Sequence, residues 1–291
     1  IYFDHNATTP LLGEARTAWL AATDQFVGNP SSPHRLGARA DIALEHAREN
    51  LARILGCEPF DLVWTSGATE SNNMVLHHAA LTLPADTEVW VSAIEHPCVL
   101  AAARHYFPHR QRLVPATRQG VVDLNRLRLE LNRRRPGLVA IMAANNETGV
   151  LQPWREAAEV CREFGVPFFC DAVQWIGKLP ALALGLCDFA SGCAHKFGGP
   201  RGVGFVKSPA GERILPLLVG GEQEGGRRAG TENVPAVLAM VAALETRERL
   251  LAQDGHQSLL SSRRAFEKGL TESIPGIEIV GAHAERLWNT V

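Results

Sequence analysis

A chain of 291 residues that is 46% hydrophobic and 21% charged has the composition of a folded protein with room for one large core or two domains. Its 29 basic and 31 acidic residues leave a formal charge of −2, which gives no general pull toward nucleic acid or an anionic membrane and makes small molecules the expected partners. There is no signal-peptide pattern at the start and no apolar run near the roughly 18 residues of a spanning helix, and six cysteines without a C-x-x-C pair read as reduced thiols of a cytoplasmic protein.

Ile1-Tyr2-Phe3 is strand-like, so the natural chain is expected to begin before Ile1. The alanine-rich stretch Arg39 to Leu55 places apolar residues at helical spacing and is closed by Gly56. Short apolar runs follow at 61–65, 88–93, 111–114, 138–143, 166–170, 186–191 and 202–206, most of them separated by helix-length segments at 69–82, 97–106, 123–134 and 153–164. This alternation predicts an α/β protein whose mainly parallel central sheet is flanked by helices and binds ligands beyond the carboxyl ends of its strands. Arg133-Arg134-Arg135 before Pro136 reads as a solvated helix end. Gly220 to Gly230 is either an ordered functional loop or a mobile linker. From about Leu244 a long polar helix is expected, then a strand at Ile277-Glu278-Ile279-Val280. The expected division is an N-terminal segment 1–15, a large domain 16–243, and the start of a smaller domain at 244–291.

Polar motifs stand where strands end. Ser66-Gly67-Ala68-Thr69 hands a strand over to a helix, so free N–H groups and the Thr69 hydroxyl can meet a phosphate there, or the serine and threonine simply cap the helix. Gly177-Lys178 is followed by Leu179 and lacks the earlier glycine of a nucleotide P-loop, and Gly202-x-Gly204 runs into Phe-Val-Lys. Asp171 ends an apolar run and needs a partner in its desolvated position; a pyridinium N–H is one. A magnesium ion is the rival, but no second acidic residue follows nearby. His96, stiffened by Pro97, can stack on a ring and shuttle protons, or be structural. His105 and His109 have no third ligand in view, and no metal is read there. Lys196 lies 25 positions after Asp171 in the glycine-rich loop Ala194-His195-Lys196-Phe197-Gly198-Gly199-Pro200. An amine nucleophile, a carboxylate for a pyridinium nitrogen and a loop that admits close approach are what pyridoxal 5'-phosphate requires of a protein. A solvated loop lysine is the plainer reading.

With these residues placed, the chain resembles the cysteine desulfurases of the NifS/IscS type, class V members of the fold-type I pyridoxal-phosphate enzymes. The resemblance runs nearly end to end through YFDHNATTP (from Tyr2), FVGNPSSPHRLG (from Phe26), TSGATESNN (from Thr65), Glu95-His96-Pro97, NNETGVLQP (from Asn145), DAVQWIGKLP (from Asp171), AHKFGGPRGVG (from Ala194) and GGEQEGGRRAGTENV (from Gly220). It implies Lys196 as the lysine joined to the cofactor, Asp171 on the pyridine nitrogen, Gln174 on the ring hydroxyl and His96 stacked on the ring. It also implies Ala68, Thr69, Cys193 and His195 around the phosphate, Asn146 near ring and substrate, and Thr231 reaching the phosphate of a partner subunit, hence a homodimer.

The activity so implied converts L-cysteine to L-alanine, with Lys196 and His96 catalytic and the sulfur passed as a persulfide to iron–sulfur cluster assembly or another acceptor protein. Other class V activities, selenocysteine lyase or aminotransferase, share the same cofactor residues, and a silent cofactor-binding scaffold is the alternative outside enzymes. The family's nucleophilic cysteine and its carboxylate-clamping arginine lie in the C-terminal part, and no residue up to Val291 is assigned to either role; the natural chain is expected to continue. Cys98 is a conceivable substitute nucleophile but is expected to be buried and unreactive at the start of an apolar helix. Cys193 stands where the family usually has serine, and His5 where it usually has a small polar residue.

Overall fold

The computed structural model describes residues 1–253 and 256–291. Seven strands form one sheet, in spatial order β1-β7-β6-β5-β4-β2-β3: β1 (Leu62–Thr65), β2 (Val89–Ser92), β3 (Gln111–Val114), β4 (Leu138–Ala140), β5 (Phe168–Asp171), β6 (Phe189–Cys193) and β7 (Gly204–Lys207). Pairing is parallel from β3 through β6, and β7 runs antiparallel to both β6 and β1. The expected α/β class and mainly parallel sheet are what the chain forms.

The parallel strands read as continuous apolar runs because both of their faces are covered. Leu62, Trp64, Trp90, Val139, Phe168 and Cys170 point into one apolar cluster, and Val63, Val89, Val91, Leu138, Ala140 and Phe169 into another, which is the period-two alternation of a strand. The first cluster is closed by α2 (Arg35–Leu55), α6 (Trp154–Glu163) and α8 (Val234–Ala252), and the second by α3 (Ala68–Thr82) and α4 (Pro97–Tyr106). α1 (Gly13–Gln25) packs along α8, and α5 (Leu124–Arg133) buries Leu127 and Leu131. Gly56, left-handed at φ 76°, terminates α2, and the Asn233 side chain accepts from Ala236 N at 3.2 Å to start α8.

Three local expectations fail. Ile1-Tyr2-Phe3 is not a strand; Ile1 and Phe3 are exposed, and among the described residues no neighbouring strand pairs with them. Ile277 to Val280 is not a strand either: it follows α9 (Gln257–Ser273) through a turn at Gly276 and makes local bonds such as Ala282 N to Ile279 O. An apolar run becomes a strand only when another edge is available to pair with it. The polar helix expected from Leu244 is instead the end of α8, which starts at Val234, and then α9. The boundaries drawn at 15/16 and 243/244 fall inside α1 and α8.

The last residues return to the large body. Leu287 N donates to Gly149 O at 2.8 Å, Leu151 N to Glu285 O at 2.8 Å, and Asn6 Nδ2 to Thr290 Oγ1 at 2.8 Å. Among the described residues no helix is long and apolar enough to cross a membrane.

Candidate active site

The carboxyl ends of β1, β2, β4, β5 and β6 open into a cavity of about 550 Å³. Ala68, Thr69, His96, Asn146, Asp171, Gln174, Cys193, His195 and Lys196 all line it; Thr231 does not. Residues separated by more than a hundred positions converge because each sits at or just beyond a strand end of one sheet.

The floor is Asp171, the last residue of β5, whose Oδ2 accepts from Asn72 Nδ2 at 2.7 Å and whose Oδ1 accepts from Val173 N at 3.1 Å. Burial nevertheless pushes its carboxyl above the usual range, against the pull of those two donors and of the nearby His96 and Lys196. Beneath it Glu95 is buried as well, accepting from Ser92 Oγ and Met142 N, each at 2.6 Å. Desolvation, aided by the charge of Asp171, pushes Glu95 up to about 8.

Cys98 N donates to His96 Nδ1 at 3.2 Å, so the neutral imidazole carries its proton on Nε2. The Cys98 thiol lies 2.9 Å from the same Nδ1 and accepts from Asn72 Nδ2 at 3.1 Å. Cys98 is therefore not sealed in a core as expected but forms part of the cavity wall. Burial, and after it Asp171, pushes its thiol up to about 11, which keeps the expectation of low reactivity.

The other end of the cavity is the start of α3. Its N-cap, Gly67, has a φ of 152° and no side-chain cap bond, so the amides that follow Ala68 in the first turn keep free donors. Glycine is also required at Gly204 across the turn, where a Cβ would come within 2.6 Å of Gly192 O and 2.8 Å of Gly67 Cα. Cys193 takes a hydrogen bond from the Ala68 amide, and burial pushes its thiol up to about 12. His195, lowered to about 4 by burial and then by Lys196 and Arg201, is neutral at pH 7. Lys196 Nζ donates to the main-chain oxygen of Asn6 at 2.5 Å.

The glycine-rich loop is ordered: α7 (Gln223–Gly226) is a single turn with Glu224 and Gly225 at positive φ. Arg228 ties it to α3 through Glu70 at 2.9 Å, and although burial opposes it, Arg228 and Ser66 hold the Glu70 carboxyl below its usual range. Sequence reasoning missed Asn72 and Arg201. Asn72 was legible as the residue three positions after Thr69 on the same helix face, and Arg201 as a cation directly after the lysine loop.

The aminotransferase class-V family model matches residues 1–291. A cysteine desulfurase from Klebsiella pneumoniae is 40% identical over 295 residues, covering 100% of this chain and 73% of the relative. The solved structure of a NifS-like protein from Rickettsia africae superimposes with a TM-score of 0.89 at 31% identity, covering 99% of this chain and 79% of that one. Another, described as SspA in complex with cysteine, gives a TM-score of 0.77 at 31% identity over 84% of this chain and 72% of its own.

Proposed function

The chain belongs to the class-V aminotransferase family, and on that premise we propose that it is a cysteine desulfurase whose cavity holds pyridoxal 5'-phosphate. The residues present fit that group. Asp171 is a buried carboxylate short of a cationic donor, α3 offers uncapped amides to an anion, and Lys196 extends an amine whose protein acceptor is a main-chain carbonyl.

Ala68, Thr69, Cys193 and His195 hold the phosphate, Asp171 the ring nitrogen, Gln174 the ring hydroxyl, and His96 the ring face. Asn146 meets ring and substrate. When bound, the cofactor supplies an aldehyde that condenses with amines and a ring that draws electrons from the carbon next to the nitrogen. Lys196 Nζ accepts the proton from the α-carbon of L-cysteine, and His96, with Nδ1 occupied by Cys98 N, offers its Nε2 proton toward the substrate. Asp171 keeps the ring nitrogen protonated through a charge-assisted hydrogen bond. Overall, L-cysteine and an acceptor thiol give L-alanine and an acceptor persulfide, with iron–sulfur cluster assembly as the destination of the sulfur. Thr231, outside the cavity of its own chain, reaches the phosphate bound by a second copy in a homodimer. Residues 244–291 begin the smaller domain of the same proposal.

The observation that carries this reading is the convergence of Lys196, Asp171, Gln174 and His96 on one cavity. The test is to supply the purified complete protein with cofactor and L-cysteine, quantify alanine and sulfide under reductant, and map the borohydride-trapped adduct. Alanine equimolar with sulfide and an adduct on the Lys196 peptide are expected. A fully loaded protein that forms no alanine sinks the proposal.

A further inference from the structure

Lys178 has no part in the chemistry described so far, yet it is only 3% exposed and lies on a fixed turn. Its amide donates to Trp175 O at 3.0 Å, its carbonyl accepts from Trp288 Nε1 at 3.0 Å, and Gly177 beside it is left-handed at φ 74° against Phe197. The side chain does not reach the large cavity. It lines a smaller one of about 220 Å³ behind Lys196, where its Nζ donates to Gln174 Oε1. Gln174 does line the large cavity, and its Nε2 donates to Asn6 O at 2.9 Å, the same oxygen that receives Lys196 Nζ. One hydrogen-bonded path therefore joins two lysine amines through a glutamine side chain and a main-chain carbonyl.

This path fixes which way the Gln174 amide is turned. The Asn6 carbonyl can only accept, and a lysine ammonium can only donate. With Oε1 toward Lys178 and Nε2 toward Asn6 both contacts are satisfied; with the amide reversed, N–H would face N–H and C=O would face C=O. The second Nε2 proton has no protein partner among the described residues and is left for the large cavity.

We propose that Lys178 is a positioning residue that locks the Gln174 amide so that the cavity presents an N–H donor, and thereby selects the ionised form of the cofactor's ring oxygen. The selection half rests on the cofactor reading above; the amide lock does not. The groups facing Lys178 are Lys196, Cys193, Arg247 and His5. Burial first, and then the charge of Lys196, brings its amine down to about 7. Above that pH the neutral amine can accept as well as donate, and the lock loosens. Arginine at this position would be a donor at every working pH.

The first experiment uses glutamine-selective ¹⁵N labelling of the cofactor-free protein, with the Gln174 side-chain amide assigned by its loss in Gln174→Glu. Below pH 6 the wild type should show two sharp, well-separated amide protons that broaden as pH rises through about 7; this arm requires no lysine variant. Lys178→Arg should keep them sharp throughout, and Lys178→Met should show them broadened at every pH. In the loaded protein, Lys178→Met should move the pH midpoint of the visible cofactor band upward by about one unit, with arginine restoring it. Gln174 signals independent of both pH and the residue at 178 overturn the lock. If the protein takes up no cofactor, the desulfurase reading fails while the amide signals still decide the lock; if it loads normally and the band midpoint is unmoved in Lys178→Met, the selection role fails alone.

Discussion

At Cys98 two influences act on one sulfur. His96 Nδ1 lies 2.9 Å away, a separation at which a protonated imidazole would favour the thiolate, but Nδ1 is already held as an acceptor by Cys98 N. Burial and the charge of Asp171 therefore prevail and raise the thiol to about 11. Cys57, Cys161 and Cys193 are raised to about 12, desolvation being the first cause in each. Iodoacetamide at pH 7.5 should modify Cys98 about tenfold or more slowly than free cysteine, because the scarcity of thiolate outweighs its greater nucleophilicity. Peptide mass mapping over time reads the rate, and rapid labelling at Cys98 would show that the thiol is activated. A slow Cys98 also accords with the sulfur acceptor being none of these four cysteines. The two sides of this site differed in legibility. His96 was readable from its place after a strand and before proline, whereas the contact with Cys98 depends on the turn that brings residues 96 and 98 face to face.

Besides the Arg228–Glu70 pair, a buried carboxylate holds the glycine-rich loop to the body. Glu224 receives both terminal nitrogens of Arg48, at 2.9 and 2.7 Å, and the Trp64 amide at 2.9 Å, joining α7 to α2 and β1. Arg48 in turn donates to Leu62 O at 2.9 Å, and burial, outweighed by the bonds and charge of Glu224, leaves its guanidinium raised overall. Glu224→Leu leaves the buried guanidinium only the half-exposed Glu45, 3.1 Å from its Nε, as counter-charge and should cost about 3 kcal/mol, the low end for a broken buried pair. The pair Arg48→Met with Glu224→Leu should recover most of that. Urea unfolding midpoints of the two proteins test this, and equal losses in both would mean the carboxylate does more than compensate Arg48. The sequence left open whether 220–230 was a functional loop or a linker, because nothing local in Gly220-Gly221-Glu222-Gln223-Glu224 says that its last carboxylate meets an arginine 176 positions earlier. Strands and helices were far more legible: all seven apolar runs became strands, since each finds a neighbouring edge, and Ile277 to Val280 did not, since it finds none.

Across the whole molecule the buried ionisable groups set a dependence of stability on pH. Glu95 rises from 4.5 to about 8 on folding, so between those values the folded state binds more protons than the unfolded one and stability falls as pH rises. Asp171 adds to the same trend through its own raised carboxyl, while His195, lowered from 6.5 to about 4, opposes it below 6.5, so the decline is steepest above that pH. Lys178 falls from 10.5 to about 7, so from 7 upward this amine binds its proton in the unfolded state and not in the folded one, and its contribution favours folding increasingly as pH rises. Above about 9 the trend turns again, because Cys57, Cys98, Cys161 and Cys193, raised from 9.0 to about 11 or 12, stay protonated in the folded state while the unfolded thiols ionise. The cofactor-free protein should accordingly show a local minimum of stability near pH 7 to 8, a shallow recovery toward 9 and a decline beyond it. Glu95→Gln should flatten the decline between pH 4.5 and 8 and leave the recovery above it; melting temperatures across this range decide, and a variant profile parallel to the wild type would show that Glu95 does not titrate on folding.

The sequence by itself determined the alternation of strands and helices and pointed to polar residues at strand ends that line one cavity. Periodicity, turn chemistry and short motifs are properties of neighbouring residues, and local steric and hydrogen-bonding preferences act on them directly. Only the tertiary structure decided that Asn72 holds Asp171, that Lys178 reaches Lys196 through Gln174 and Asn6, and that residues 285–290 dock beside Gly149. Those contacts join positions far apart in the chain, and the charge states they produce depend on how completely packing removes water, which no stretch of sequence specifies alone.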